Sequence, residues 1–341
     1  MIETIIISGI SGMDGTCLAH YLLSKGHKVI GIVRRNSTSN EQRIQFLKDR
    51  PNFHLMYADI TDAGSIDRVV ECYKPDKFFH LAANSFVHTS WASPNHYVET
   101  NTIGTINVLE SLRKYAKGCK FYFAASSEQY GKYIKCANGA ALLNENSPMN
   151  SASPYGVSKV AGYQMTRVFR ESYNMFASCG ILFNHCHELR GEEFFTRKVT
   201  SQLAKVKWGV QDYIELGNLT PQRDEGYSGD YVVAMDMMLN YDKPDDFVIA
   251  TGKTHSCQKW AELTCAHFDL DFNKVVKVDT DLFRPNEVNV LIGDASKAKR
   301  VLGWEPKVSF EDLNYRMCEY DYYAQSPNSA DVKKSRELLW K

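Results

Sequence analysis

A short β-branched run that leads directly into three evenly spaced glycines constrains this chain more than any other feature. Residues 4–8 are typical of a buried parallel strand, and residues 16–24 have the apolar spacing of a helix. Glycines between a strand and a helix allow a tight turn and close approach to a pyrophosphate, and the helix offers free N–H groups to the anion. We therefore predict a dinucleotide site in the turn, which includes Gly9, Gly12, Met13, Asp14 and Gly15.

The alternation of apolar strand and helix continues through the first half of the chain. Further strands are predicted at residues 28–33, 54–59, 77–83, 119–125 and 175–183. Helices are predicted at residues 62–73 and 95–115 and around Tyr155. Strands that alternate with helices at this spacing form a parallel sheet. The predicted fold class is therefore α/β, a doubly wound parallel Rossmann sheet with a smaller C-terminal α/β substrate-binding domain.

The predicted domain boundary lies after Phe183, where longer polar segments begin. Residues 1–183 are assigned to the dinucleotide-binding Rossmann domain. Residues 184–341 are assigned mainly to the substrate-binding domain, with part of 230–252 returning to the Rossmann sheet. Basic residues spread through this second part indicate an anionic substrate, although each could equally be a surface charge: Arg190, Arg197, Lys198, Arg223 and Arg284.

The residues after the second strand indicate which dinucleotide binds. A site that prefers NAD places an acidic side chain here for the ribose 2′-hydroxyl, whereas this chain has Arg34 and Arg35. Guanidinium groups match phosphate oxygens, so the sequence favours a 2′-phosphate and hence NADP. The alternative is a solvated basic loop. Cofactor contacts are also predicted around the ends of the third and fourth strands, at Asp59, Ile60, Leu81 and Ala83. Asp59 could accept a hydrogen bond from the adenine amino group.

Four polar side chains form the predicted catalytic group. Ser126 ends the fifth strand and Glu128 follows it, while Tyr155 and Lys159 have the spacing of neighbours on one helix face. We expect the Lys159 ammonium to favour the Tyr155 phenolate, although bringing a tyrosine pKa from about 10 to neutrality takes about 4 kcal/mol. The alternative is that Tyr155 and Lys159 are an ordinary pair on a helix surface.

Composition and charge argue against several other classes of protein. The 341 residues are 44% hydrophobic and 23% charged with a formal net charge of zero, so no nucleic-acid or membrane footprint is expected. No apolar run reaches about 18 residues, no signal-peptide pattern is seen, and the nine cysteines are expected to be reduced thiols in a cytoplasm. The segment His185-Cys186-His187-Glu188 is not expected to bind a metal, because adjacent side chains of an extended segment point to opposite faces.

These residues resemble the extended short-chain dehydrogenase/reductase family, and within it the GDP-mannose 4,6-dehydratases, over nearly the whole chain. Generic motifs of the larger family are Gly9-x-x-Gly12-x-x-Gly15, Ser126-Ser127-Glu128-Gln129-Tyr130-Gly131 and Ser153-Pro154-Tyr155-Gly156. Motifs of the GDP-mannose branch include Phe195-Thr196-Arg197-Lys198, Arg223-Asp224 and Arg284-Pro285-Asn286-Glu287-Val288. In the resemblance, Glu128 separates dehydratases from related epimerases and reductases, and Ser127 points to the GDP-mannose branch.

The resemblance implies NADP-dependent 4,6-dehydration of a GDP-sugar, with hydride passing internally from carbon 4 to carbon 6. Tyr155, held by Lys159, would take the 4-hydroxyl proton, Ser126 would hydrogen-bond the same oxygen, and Glu128 would remove the carbon-5 proton. A dimer or tetramer is also implied, with Arg35 reaching towards a neighbouring subunit. The implied contacts to the sugar nucleotide, the last of them a possible partner for guanine N–H groups, are Ser85, Asn184, Lys198, Arg223, Arg284 and Glu287.

Two segments depart from the pattern of the family, and both are expected to lie near the substrate. Cys186-His187-Glu188 stands where the family has Glu-Ser-Pro, and Glu225 stands where it has Trp. A polar pocket of different shape would suit a larger sugar, so both GDP-mannose and GDP-manno-heptose remain candidate substrates. Two further alternatives are a GDP-sugar 4-dehydrogenase or epimerase that stops at the 4-keto stage, and a non-catalytic NADP-sensing protein of the same fold.

Overall fold

The computed structural model describes residues 1–37, 41–132, 142–284 and 286–339. The elements up to the sixth strand are β1 (Thr4–Ser8), α1 (Met13–Ser24), β2 (Lys28–Val33), β3 (Phe53–Tyr57), α2 (Ala63–Tyr73), β4 (Lys77–His80), α3 (Pro94–Val98), α4 (Gly104–Tyr115), β5 (Lys120–Ser126), α5 (Pro154–Tyr173) and β6 (Ala177–Leu182).

The remaining elements are shorter on average. They are β7 (Asn184–Cys186), α6 (Phe195–Lys207), β8 (Ile214–Leu216), β9 (Gln222–Arg223), β10 (Glu225–Tyr227), α7 (Ser228–Asn240), β11 (Asp246–Ile249), β12 (His255–Ser256), α8 (Cys257–His267), α9 (Phe272–Val275), β13 (Val276–Val278), β14 (Val290–Leu291), α10 (Ser296–Leu302), α11 (Phe310–Ala324) and α12 (Ser329–Leu338). None of the helices in the described ranges is long and apolar enough to cross a membrane.

A seven-stranded parallel sheet forms the centre of the molecule. Its strands lie in the order β11-β6-β5-β4-β1-β2-β3, and every pair in it is parallel. Helices cover both faces, so that the strands read as nearly continuous apolar runs, such as the fully buried isoleucines at positions 5, 6 and 7 of β1. The architecture confirms the predicted doubly wound Rossmann fold. The edge strand β11 joins this sheet beside β6, although it follows β10 in the chain.

The predicted single helix at residues 95–115 contains a π-helical turn over Glu99–Ile103 between α3 and α4. Asn101, within that turn, accepts a hydrogen bond from the backbone N–H of Asn84 at 2.8 Å and donates to Ser158 Oγ at 2.9 Å. The irregular turn therefore connects the loop after β4 to α5, the helix that carries Tyr155 and Lys159.

The C-terminal elements pack around a separate apolar cluster in which α6, α8 and α11 take part. A buried ion pair joins two of these helices: Arg197 Nε of α6 lies 2.7 Å from Asp321 Oδ1 of α11. Arg197 also donates through Nη1 to the backbone carbonyls of Glu188 and Arg190. Through these bonds, Arg197 holds the segment between β7 and α6 in place.

Candidate active site

A cleft of about 730 Å³ lies at the carboxyl ends of the parallel strands, with C-terminal segments on its other side. In open α/β sheets this edge is where ligands bind. The cleft is lined by every predicted catalytic, cofactor and sugar-nucleotide contact except Arg35. Arg197, one of the basic residues that indicated an anionic substrate, is not in the lining and pairs with Asp321 instead. Residues far apart in the sequence are thus brought to one place.

The glycine turn is packed so tightly that two of its positions have no room for a side chain, and its backbone is therefore free to approach a ligand closely. Gly9 has φ +74°, and a Cβ there would lie 2.7 Å from the backbone nitrogen of Ala82. A Cβ at Gly15 would lie 2.3 Å from the carbonyl oxygen of Gly9. The N-cap of α1 is Gly12, which has no side chain to cap the first-turn N–H groups. These groups lie at the cleft and match the requirements of a dinucleotide pyrophosphate.

An ion pair connects this turn to the C-terminal half of the chain. His185 Nε2 lies 2.9 Å from Asp14 Oδ2, and its Nδ1 lies 2.7 Å from the carbonyl oxygen of Phe183. Both ring nitrogens face oxygen acceptors, which suits the imidazolium form. Although burial opposes both shifts, the pairing raises the pKa of His185 and lowers that of Asp14. Ser228 donates to the other oxygen of Asp14 at 2.6 Å.

The predicted adenosine-side residues lie along the ends of β2 and β3. Arg34 is exposed and lines the cleft, whereas Arg35 is exposed but lies outside its lining. Asp59 Oδ1 accepts from the backbone N–H and the hydroxyl of Thr61, at 2.9 and 2.8 Å. One carboxylate oxygen is therefore occupied by the turn that also carries Ile60.

Two cleft residues with suitable chemistry, Arg43 and His185, were missed as site residues by sequence reasoning. Arg43, from the turn Gln42–Leu47, donates to the carbonyl oxygen of Ser11 at 3.4 Å. Arg190, one of the basic residues that indicated an anionic substrate, does line the cleft; it donates to the carbonyl oxygen of His185 and stacks on Phe194 at 4.1 Å. The position of His185 shortly after the sixth strand was an available signal. Arg43 had none, since it lies in a segment without periodicity.

The helix that carries the predicted catalytic tyrosine begins at the cleft. Ser153 caps α5 by accepting from the backbone N–H of Gly156 at 3.1 Å. The ring of Tyr97 packs edge-on against Tyr155, with 6.3 Å between centroids. Lys159 Nζ donates to the carbonyl oxygen of Ala124, the residue two before the end of β5, at 2.8 Å. Tyr155 and Lys159 are therefore both attached to the strand end that carries Ser126.

The expected lowering of the Tyr155 pKa is not found in the protein alone. Burial raises the pKa of Tyr155 to about 12, and the hydrogen bond from Ser126 offsets only part of that effect. Burial also lowers the pKa of Lys159 to about 8. Both groups are almost fully enclosed, so removal from water outweighs their proximity on the helix. Stabilisation of the phenolate by Lys159 together with a bound cationic cofactor ring stays a prediction.

Glu128 lies in a short turn, Ser127–Gln129, that directly follows β5. Its backbone N–H donates to Ser126 Oγ at 3.3 Å, and Gln129 Oε1 accepts from the backbone N–H of Ser126 at 3.0 Å. This reciprocal capping box fixes the turn. The Glu128 carboxylate lines the cleft, 4.0 Å from Arg284 Nη1.

A group of charged side chains lies at the C-terminal side of the cleft. Arg223 Nη2 donates to Glu287 Oε1 at 2.7 Å, and Arg284 Nη1 lies 3.7 Å from the same oxygen. Lys198 Nζ donates to the carbonyl oxygen of Glu215 at 2.8 Å. Glu287, predicted as a guanine contact, is therefore held between two arginines. The remaining predicted substrate contacts, Ser85 and Asn184, also line the cleft.

The two divergent segments differ in their location. Glu225 lines the cleft and is 8% exposed, and burial raises the pKa of its carboxyl. Cys186, His187 and Glu188 are not part of the lining, although Cys186 Sγ lies 2.6 Å from Oγ1 of Thr196, which is. His187 instead stacks on Tyr227 with 5.4 Å between centroids, and Glu188 accepts from Arg316 Nε at 3.1 Å. His187 and Glu188 therefore pack against β10 and α11 outside the cleft lining.

Within the described ranges, no group of three or more His, Cys, Asp or Glu side chains is arranged to hold a metal ion.

Comparison with known proteins identifies the family. The sequence profile described as GDP-mannose 4,6 dehydratase matches residues 6–317. The chain is 41% identical over 326 residues to GDP-mannose 4,6 dehydratase 2 of Arabidopsis thaliana, covering 93% of this chain and 86% of that one. It is 38% identical over 341 residues to the human GDP-mannose 4,6 dehydratase, covering 93% and 90%. The chain belongs to the GDP-mannose 4,6-dehydratase family. The resemblance seen in the sequence motifs is confirmed.

Solved structures outside the GDP-mannose 4,6-dehydratase family share its fold. The dTDP-glucose 4,6-dehydratase of Bacillus anthracis, solved with NAD, gives a TM-score of 0.82 at 19% identity and covers 95% of this chain and 97% of that one. The UDP-glucose 4-epimerase of Thermotoga maritima, solved with UDP-glucose, gives 0.80 at 25% identity and covers 94% and 99%. At 19% identity, the first of these likenesses concerns the fold alone, because one scaffold can carry different functions.

Gly15→Ala is expected to weaken dinucleotide binding by about tenfold or more, because the new Cβ displaces the Gly9 carbonyl and widens the turn. Gly64→Ala is the matched control, since a Cβ there makes only an ordinary contact with Asp62. Affinity is measured by calorimetric titration with NADP⁺. Equal affinity of the Gly15→Ala and Gly64→Ala proteins would show that close approach at this turn is not required.

Proposed function

We propose that this protein is an NADP-dependent 4,6-dehydratase that converts GDP-mannose to GDP-4-keto-6-deoxymannose. The observation that carries the proposal is that Glu128 and Tyr155 line the same cleft as the glycine turn. A second base distinguishes a dehydratase from an enzyme that only oxidises carbon 4. The names of the relatives, which are about 40% identical, support the sugar nucleotide and the reaction.

The first step needs a base at the 4-hydroxyl. Tyr155 takes that proton, Ser126 hydrogen-bonds the same oxygen, and Lys159 holds the strand end through its bond to Ala124. A nicotinamide cofactor held by the glycine turn and beside Tyr155 would supply a hydride acceptor for carbon 4 and a hydride donor for carbon 6, and the positive charge of its ring would favour the phenolate. The burial that raises the pKa of Tyr155 is the barrier which that charge has to offset.

The second step needs a base at carbon 5. The ketone at carbon 4 acidifies the neighbouring C–H bond, and the Glu128 carboxylate takes the proton. The electron pair forms the double bond between carbons 5 and 6, the C6–O bond breaks, and the hydroxyl leaves as water with one proton. The proton that leaves in this water is the one Glu128 took from carbon 5. Return of the hydride to carbon 6 would then be accompanied by transfer to carbon 5 of the proton that Tyr155 took from the 4-hydroxyl. Atoms and electrons balance, so no external reductant is consumed.

The remaining assignments follow the same proposal. Residues 1–183 bind NADP, and residues 184–341 mainly bind the sugar nucleotide, with part of 230–252 returning to the Rossmann sheet. Ser85, Asn184, Lys198, Arg223, Arg284 and Glu287 contact the sugar and the GDP. The protein acts in the cytoplasm as a homo-oligomer, a dimer or a tetramer, and Arg35 is available to a second subunit because it is exposed outside the cleft lining.

Glu128→Gln is expected to separate oxidation from elimination, because it keeps the shape of the side chain but removes its basicity. Dehydration should fall by 10²–10⁴-fold, about 3–5 kcal/mol of barrier, while carbon-4 oxidation continues. Nicotinamide absorbance measures oxidation, and solvent deuterium at carbon 5 with product mass measures elimination.

Tyr155→Phe is the matched control, and it should block oxidation itself. If Glu128→Gln dehydrates at the wild-type rate, Glu128 is not the eliminating base. If the product of the wild-type protein keeps the hydroxyl on carbon 6, the protein is instead a 4-dehydrogenase or an epimerase. No turnover with any GDP-sugar would favour an NADP-sensing protein.

The double variant Arg34→Asp with Arg35→Ala is expected to lose affinity for NADP much more than for NAD. Charge-assisted contacts to the 2′-phosphate are each worth about 1.5–3 kcal/mol, so loss of one weakens NADP by about 10–100-fold. Calorimetric titrations with both dinucleotides give the ratio. An unchanged ratio would exclude these arginines as the source of NADP preference.

Glu225 supports GDP-manno-heptose as a second candidate substrate. It is a nearly buried carboxylate in the cleft lining, and a carboxylate is suited to accept hydrogen bonds from additional sugar hydroxyls. The prediction is that Glu225→Trp lowers kcat/KM for GDP-manno-heptose by about tenfold relative to GDP-mannose, as expected for one lost hydrogen bond and added bulk.

Mass spectrometry of products from GDP-, UDP- and dTDP-sugar panels measures the preference for the sugar and for the nucleotide base. Equal rates with UDP-glucose would contradict the guanine assignment.

A further inference from the structure

Four side chains of alternating charge connect the proposed base to the proposed phosphate contacts. Glu128 Oε1 lies 4.0 Å from Arg284 Nη1, and that nitrogen lies 3.7 Å from Glu287 Oε1. Arg223 Nη2 donates to the same Glu287 oxygen at 2.7 Å. Arg284 therefore lies between two carboxylates that come from different parts of the chain.

The contacts of Arg284 leave it able to bind a further group. Charge-assisted bonds between guanidinium and carboxylate are about 2.7–2.9 Å long, so the separations of 4.0 and 3.7 Å are ion pairs without a direct hydrogen bond. A guanidinium carries five N–H donors. The Arg284 side chain is also 32% exposed, whereas that of Arg223 is 12% exposed and bonds Glu287 directly.

In a sugar nucleotide, the diphosphate lies close to carbon 5, the atom from which Glu128 is proposed to remove a proton. The diphosphate is attached to carbon 1, and carbons 1 and 5 both flank the ring oxygen. A residue that binds the diphosphate therefore lies near the group that removes the carbon-5 proton. Phosphate oxygens match the guanidinium fork and provide the direct hydrogen bonds that Arg284 lacks in its ion pairs.

We propose that Arg284 is a positioning residue for Glu128 as well as a phosphate contact. With the diphosphate bound, its guanidinium bridges the phosphate oxygens and the Glu128 carboxylate, and it orients that carboxylate towards carbon 5. Elimination is thereby coupled to occupancy of the diphosphate site. Oxidation at carbon 4 uses Tyr155 as its base and does not use Glu128. The inference rests on the proposed function, since it assigns a role within the elimination step.

The test is to resolve the two steps in Arg284→Met, which keeps the length of the side chain but removes the charge and the donors. At saturating GDP-mannose, the ratio of the elimination rate to the carbon-4 oxidation rate should fall by at least about tenfold relative to wild type, as for a misplaced reacting group. Rapid-mixing absorbance follows oxidation, and solvent deuterium at carbon 5 follows elimination. Calorimetric titration with GDP reports phosphate binding separately.

Arg223→Met is the matched control, because Arg223 belongs to the same charged group but bonds Glu287. It should raise KM by about tenfold, the cost of one charge-assisted hydrogen bond, and leave the ratio of elimination to oxidation unchanged. If Arg284→Met slows both steps equally at saturation, or slows neither, Arg284 is a phosphate contact only and the inference is wrong. If the wild-type protein releases no water from any GDP-sugar, the proposed function itself fails, and this outcome is distinct from the first.

Discussion

Burial of a parallel sheet on both faces is the constraint on which the rest of this structure depends. Parallel strands need crossover connections, and the helices in these connections cover both faces of the sheet. Because all seven strands run in one direction, their carboxyl ends meet at one edge. The glycine turn after β1, Asp59 after β3, Ser126 at the end of β5 and Asn184 after β6 reach the cleft for this single reason. Convergence of residues from across the chain follows from topology before any of their side chains interact.

The features predicted correctly from the sequence are those that depend on local pattern. The first six strands, the glycine turn and the position of Ser126 all follow from apolar runs and from the residues that end them. The π-helical turn before α4 was not predictable, because it depends on contacts of Asn101 with Asn84 and Ser158. Arg43 and the pairing of Asp14 with His185 were missed for the same reason, since their partners are remote in the sequence.

The divergent segment shows how tertiary packing limits what a motif alignment predicts. The side chains of Cys186-His187-Glu188 pack on Thr196, which lines the cleft, and on Tyr227 and Arg316, which do not. Alternation of side chains along β7 does not by itself predict which residues meet the cleft, because the adjacent Asn184 and His185 both line it. Within that strand, Asn184 lines the cleft and Cys186 belongs to the C-terminal apolar cluster.

Burial also decides the electrostatics of the two proposed catalytic residues on α5. Removal from water favours the neutral forms of both Tyr155 and Lys159, which explains why the pKa of the first rises to about 12 and that of the second falls to about 8. These surroundings disfavour proton abstraction by Tyr155, the proposed base, in the protein alone. Binding of a positively charged ring beside Tyr155 would reverse that balance at the moment when the substrate hydroxyl is in place. The same low-dielectric surroundings that oppose the phenolate would then strengthen its attraction to that charge, so burial suppresses the base in isolation and favours it in the complex.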